Sequence, residues 1–147
     1  MAAVRRAEAT WSGPLTTGSG TVSARSSGTF TDLAVSWSAR TETPEGMTSP
    51  EELVAAAHAA CYSMALSGAL GRAGTPPDRL DVSAEVTFDK IEAGWRVVSS
   101  ALTVHGVVPG ISAADFVTAA EGARDGCPIS QALKGNVALS VVATLEA

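Results

Sequence analysis

Residues 50–70, "PEELVAAAHAACYSMALSGAL", constrain the fold more than any other stretch. They form an apolar, alanine-rich run with helix boundaries at both ends. Ser49 suits the N-cap, Pro50 the first helical position, and Glu52 lies three residues after Ser49, the pattern of a capping box. Glu51 and Glu52 also complement the positive end of the helix. "GRAGTPP" then stops the helix at about Leu70. Leu53, Val54, Ala57, Ala60, Cys61, Met64 and Ala65 spread over more than one stripe. A helix apolar on most sides is buried on most sides. In a chain of 147 residues that calls for cover from its own sheet, with a partner subunit as a further source.

The run nears the length of a membrane span, but His58, two serines and many alanines interrupt it, and no segment reaches ~20 uninterrupted apolar residues. "MAAVRRAEATWSG" has two arginines and no apolar run behind them, unlike a secretory signal. A cytoplasmic location without membrane association is therefore expected. The net charge of −5 argues against a broad basic footprint for nucleic acid.

Around this helix the sequence predicts an α+β chain in the order β–β–α–β–β–α–β, with much antiparallel sheet and a single domain over residues 1–147. Residues 9–40 are rich in Thr, Val and Ser with Gly at turns, and 41–49 carry Pro and Gly as a loop. "LDVSAEVTFDK" alternates Val82, Ala84, Val86 and Phe88. "IEAG" turns the chain, and "WRVVSSALTVHGVV" returns it with a change of apolar parity between Val97 and Leu102 that predicts a bulge. A second helix follows, capped by Ser112 with Phe116, Val117 and Ala120 inward, then a short helix after Cys127. The last strand places Val137, Leu139, Val141, Ala143 and Leu145 on one face.

The chain has two cysteines, Cys61 and Cys127, 66 positions apart. That separation excludes a local CxxC motif, and with two histidines a zinc site lacks obvious ligands. No metal is expected. A thiolate is the reactive form, and a helix N-terminus or a cation favours it. Cys127 precedes Pro128 as an N-cap candidate and is the more acidic thiol on local grounds. Cys61 lies about three turns inside its helix, so only a side chain from elsewhere could activate it. The alternative for both is that they pack as small hydrophobes.

The stretches "TSPEELVAAAHAACYSMALS" and "GCPISQAL", with the opening Trp and the "VPGI" turn, closely resemble the OsmC/Ohr family of osmotically inducible and organic hydroperoxide resistance proteins, the OsmC branch above all. The resemblance spans essentially the whole chain. It implies antiparallel sheets around a long, central, buried helix and an intertwined homodimer. It implies a thiol peroxidase acting on organic hydroperoxides and on hydrogen peroxide, with no bound cofactor and with an external thiol or dithiol, such as a lipoyl group, as reductant. By motif position Cys61 is the peroxidatic residue and Cys127 the resolving one, joined in a disulfide during the cycle. Glu51 matches the family's helix-start glutamate. Arg40, with Arg25 as the fallback, matches its arginine.

Glu51 and Cys61 are ten residues apart, about 15 Å along a continuous helix and on different faces. A site shared between two chains would resolve that separation, as would Arg40 bridging it. His58 shares a helical face with Cys61. This leaves a Cys61/His58 thiol hydrolase, or a non-catalytic member of the fold, as alternatives, although packing or hydrogen bonding is the plainer role for His58. Met64, Leu66 and Phe116 read as core. Trp11, Trp37 and Trp95 fit sheet packing, and Asp115, Glu121 and Asp125 a solvated helix face.

Overall fold

The Thr/Val/Ser-rich N-terminal segment forms three short strands in the computed structural model, which describes residues 1–146. Strands β1 (Ala7–Ser12), β2 (Ser19–Ala24) and β3 (Leu33–Val35) make an antiparallel sheet in the order β1-β2-β3. Gly20 sits where the strands come closest: a Cβ there would stand 2.7 Å from the Trp11 ring and 2.6 Å from the Thr10 carbonyl oxygen. The strand region ends earlier than its composition predicts. Ser36 caps a short helix, α1 (Trp37–Thr41), by accepting a 3.1 Å hydrogen bond from the Ala39 amide. The serine side chain offers this turn of backbone a helical start that outweighs the strand propensity around it.

These elements belong to the first of two compact units, Met1–Leu53; the second begins at Val54. In the first unit only Ser23, Ala39 and Glu51 are buried. Strand β1 is exposed along its whole length.

Helix α2 (Pro50–Arg72) starts where the capping signals place it and ends two residues beyond Leu70. Ser49 Oγ accepts from the Glu52 amide at 3.1 Å. The reciprocal arm of the capping box is not made; Glu52 instead accepts from Thr48 Oγ1 at 3.3 Å. The pattern of burial departs from expectation. His58, Tyr62, Leu66 and Leu70, spaced by four, are fully buried, whereas Ala57 and Ala60 are exposed and Met64 is 68% exposed. A helix lying on a single layer buries one stripe, and within one chain α2 has cover on one side only. By length and composition α2 could cross a membrane. Its buried stripe instead joins the core of the second unit, with Leu102, Val104, Phe116 and Ala120.

That unit continues with β4 (Arg79–Ile91), β5 (Gly94–Val107), α3 (Ala113–Gly126), α4 (Pro128–Leu133) and β6 (Ala138–Leu145), and its sheet order is β4-β5-β6. The predicted hairpin is present, with Val82, Ala84, Val86 and Phe88 on its half-buried face. Phe88 and Trp95 stack across it at 5.0 Å between centroids. Thr87 pairs with Ser99 and Phe88 with Val97, so Val98 is the extra residue of a bulge inside the 97–102 window where apolar parity changes.

Two expectations are corrected. The sheet is not wholly antiparallel: β6 runs parallel to β5. The connection through α3 and α4 is a crossover, which returns the chain in the same direction. Val117 does not point inward but is 40% exposed. The buried face of α3 is Phe116, Ala120 and Ala123, and Val117 is turned about 100° from Phe116, to the side of that face.

Phe116 packs directly against the bare backbone of Gly106 in β5, so that a Cβ there would run into the ring, with Leu80 behind it at 3.3 Å. Gly106→Ala should therefore destabilise the fold by about 1–3 kcal/mol, read as a lowered midpoint in urea denaturation.

Candidate active site

Two pairs of predicted residues come together, one in each unit. In the first unit Arg40, in the last turn of α1, meets Glu51, in the first turn of α2. The contact is a fork. Arg40 Nε donates to both carboxylate oxygens at 3.1 Å and Nη2 donates to Oε1 at 2.8 Å. Glu51 is buried and Arg40 is half-buried, and the guanidinium also lies 5.8 Å from the centroid of Trp37. Paired charge-assisted bonds of this kind fix the plane of the guanidinium as well as its position. Arg25, the fallback, is instead tied to Glu8 by a 2.7 Å ion pair on the surface.

In the second unit α2 presents Cys61, and the junction of α3 and α4 presents Cys127. Both are free thiols, Cys61 half-buried and Cys127 buried. They lie near enough for each to act on the ionisation of the other. The crossover that makes β6 parallel to β5 also carries Cys127 back onto α2.

The two sulfurs differ electrostatically. Burial pushes the Cys61 thiol up, an effect the Ile129 amide opposes and Cys127 reinforces. Burial also raises Cys127, but the amides of Ser130 and Ile129, the Cys61 thiol and the Ser130 hydroxyl together hold it below the usual cysteine value. Cys127 is thus the more acidic thiol, as its place before Pro128 suggests. Among the described residues of its own unit, no cation favours the Cys61 thiolate.

His58 is completely buried one turn before Cys61. Its Nδ1 is 2.7 Å from Ser100 Oγ and its Nε2 is 2.8 Å from Ser130 Oγ. Desolvation pushes its pKa below the ordinary histidine value, so the ring is neutral. Neither serine was among the sequence candidates. Ser130, three residues after Cys127 in "GCPIS", could have been found from helical spacing. Ser100 carries no sequence signal, because only strand pairing brings β5 under α2.

Comparison with known proteins decides the family. A family profile described as "OsmC-like protein" matches residues 42–142. Peroxiredoxin OsmC of Escherichia coli (strain K12) is 43% identical over 135 residues, covering 92% of this chain and 93% of that protein. The chain belongs to the OsmC/Ohr family. An organic hydroperoxide resistance protein of Xanthomonas axonopodis pv. citri is 32% identical over 61% of the chain and 62% of its own length. The crystal structure of the organic hydroperoxide resistance protein OhrB of Bacillus subtilis superposes with a TM-score of 0.75 at 23% identity, covering 95% of this chain and 98% of that one. An OsmC-like protein of Mycoplasma pneumoniae superposes with a TM-score of 0.71 at 15% identity over the full length of both chains. These two structures show that this member has the OsmC-like α+β fold, with two three-stranded sheets and a long central helix.

The neutral, buried His58 makes stability depend on pH. Its folded pKa lies below the ordinary 6.5, so the unfolded chain binds the proton first as pH falls. Stability should hold steady above that value and decline as pH drops through and below it. Urea midpoints measured across this range should show the decline in the native protein, and the His58→Gln variant should lack that component.

Proposed function

We propose that this OsmC/Ohr protein is a thiol-dependent peroxidase that reduces organic hydroperoxides, with hydrogen peroxide as a second substrate, using Cys61 as the peroxidatic and Cys127 as the resolving residue. The observation that carries this reading is the meeting of the only two thiols of the chain, 66 positions apart in sequence. The 43% identity with a peroxiredoxin over 92% of the chain supports the same chemistry.

The Cys61 thiolate attacks one oxygen of the peroxide. The O–O bond breaks, the other oxygen leaves as alcohol or water after taking a proton, and Cys61 becomes a sulfenic acid. The Cys127 thiolate then attacks the Cys61 sulfur. A disulfide forms and hydroxide departs, to be protonated as water. An external thiol or dithiol, the lipoyl group among them, attacks the disulfide and restores both thiols. The low pKa of Cys127 makes it the better leaving group in that step. The cycle needs neither metal nor organic cofactor.

Cys61 needs a cation to ionise, since its own unit raises its pKa. The Arg40–Glu51 fork supplies one of suitable design: a guanidinium held in plane, able to steady both the thiolate and the departing oxygen. We infer that the pair acts across an intertwined homodimer, each protomer a single OsmC-like domain over residues 1–147 in the cytoplasm. Two features support a second subunit. Met64 and the alanines beside it leave an apolar face of α2 open, and the first unit buries few of its own side chains. A hydrolase built on Cys61 and His58 is disfavoured, because both ring nitrogens of His58 already face serine hydroxyls.

Cys61→Ser should abolish peroxide consumption with the fold retained. Cys127→Ser should still form the sulfenic acid but no intramolecular disulfide, as read by mass spectrometry. Arg40→Met should slow the first step by about 10²-fold. Mixing Cys61→Ser with Arg40→Met protein should restore activity in mixed dimers; if it does not, the shared site is refuted.

A further inference from the structure

A continuous line of side chains runs from the sheet to the resolving sulfur: Ser100 on β5, His58 on α2, Ser130 on α4, then Cys127. The two imidazole contacts are 2.7 and 2.8 Å, and Ser130 is the third residue of α4, whose N-cap is Cys127, with its hydroxyl among the groups that hold the Cys127 thiol down. Ser100, His58 and Cys127 are fully buried and Ser130 is 1% exposed. The side chains of this line are therefore shielded from bulk solvent.

A neutral imidazole has one donor nitrogen and one acceptor. This allows two arrangements. In the first, Ser100 donates to Nδ1, Nε2–H donates to Ser130 Oγ, and the Ser130 hydroxyl proton is left to point at the Cys127 sulfur. In the second, every bond reverses: Nδ1–H donates to Ser100, Ser130 donates to Nε2, and the Cys127 S–H donates to Ser130. The first arrangement suits a Cys127 thiolate and the second a thiol, so one histidine tautomer matches each charge state of the sulfur.

We propose that Ser130 stabilises the attacking form of Cys127 by donating it a hydrogen bond, and that His58, anchored by Ser100, is the positioning residue that holds Ser130 in that orientation. The proposal rests on the resolving role assigned to Cys127 above. It also accounts for a polar, buried residue at position 58 in an otherwise apolar stripe. When Cys127 attacks the sulfenic sulfur its negative charge is consumed and the donor from Ser130 loses its anionic acceptor. The groups facing Cys127 are Cys61 and Tyr62 from α2 and Ser130 and the Ile129 amide from α4, and Arg124 of α3 acts on Tyr62.

The test separates hydroxyl chemistry from packing. Stopped-flow oxidation of the full-length protein followed by quenching and mass spectrometry resolves sulfenic acid from disulfide. In Ser130→Ala the sulfenic acid on Cys61 should form, but closure to the disulfide should slow by about ten-fold. At excess peroxide, sulfinic acid should then accumulate on Cys61. Ser130→Thr, which keeps the hydroxyl, should restore closure. His58→Gln should slow it in the same direction. Independently, ultraviolet thiolate absorbance in a Cys61→Ser background reports Cys127 alone, and its ionisation midpoint should rise by about one pH unit on Ser130→Ala. Closure at the native rate in Ser130→Ala, equal slowing in Ser130→Thr, or an unmoved midpoint would each overturn the proposal. If the native protein forms no 61–127 disulfide, the resolving role itself fails, and the Cys127 midpoint still decides whether Ser130 and His58 act on that sulfur.

Discussion

The proposed chemistry of this protein depends on two sulfur atoms being brought near each other, one half-buried and one buried. One comes from the middle of a long helix and the other from a kink between two later helices. Cys61 has no activating group among its neighbours in sequence, whereas Cys127 draws on Ile129 and Ser130 just after it. Cys61 is disfavoured as a thiolate by burial, and Cys127 is favoured only because amides and a hydroxyl outweigh the same burial. The difference between the two thiols is an electrostatic one, and it supports the proposed division of labour, with Cys127 as a resolving thiol that ionises and leaves readily and Cys61 as a peroxidatic thiol that waits for a cation.

The architecture explains how that contact is maintained. Helix α2 is anchored by a stripe at four-residue spacing, three of whose members are apolar or aromatic and one of which is His58. Tyr62 donates from that stripe to the Ala120 carbonyl oxygen at 2.9 Å, pinning α2 to α3. His58 ties α2 to both β5 and α4. The helix that carries one sulfur is therefore fastened to the elements on both sides of the other. Buried hydrogen bonds of this kind restrict geometry more than they add stability, and geometry is what closure of a disulfide requires.

The first unit is built on different lines. It has few buried side chains, an exposed first strand, and one buried carboxylate whose charge is met by a guanidinium fork. Burying an acid costs desolvation, which the paired hydrogen bonds of the guanidinium fork offset. A second chain would give the exposed β1 strand and the open face of α2 the cover that one chain does not provide.

Much of this was determined by sequence. Ser49, Pro50 and the "GRAGTPP" stop set the bounds of α2 to within two residues, the period-two run from Val82 set the hairpin, and a parity change placed a bulge between Val97 and Leu102, the window in which Val98 is the extra residue. The motif pair around Cys61 and Cys127 identified the family, and the residue before Pro128 marked the more acidic thiol. These are local properties, encoded within a few residues of where they act. Tertiary structure alone decided the rest. The parallel pairing of β6 with β5 follows from a crossover whose direction is not written in either strand. The one-sided burial of α2 follows from the number of layers one chain can supply, whereas the composition of the helix suggested cover all round. The partners of His58 come from positions 42 and 72 residues away, and Ser100 has no local signature at all. A side chain's periodicity states which way it points, but what it meets is fixed only when distant segments pack, and the ionisation of a buried sulfur depends on what it meets.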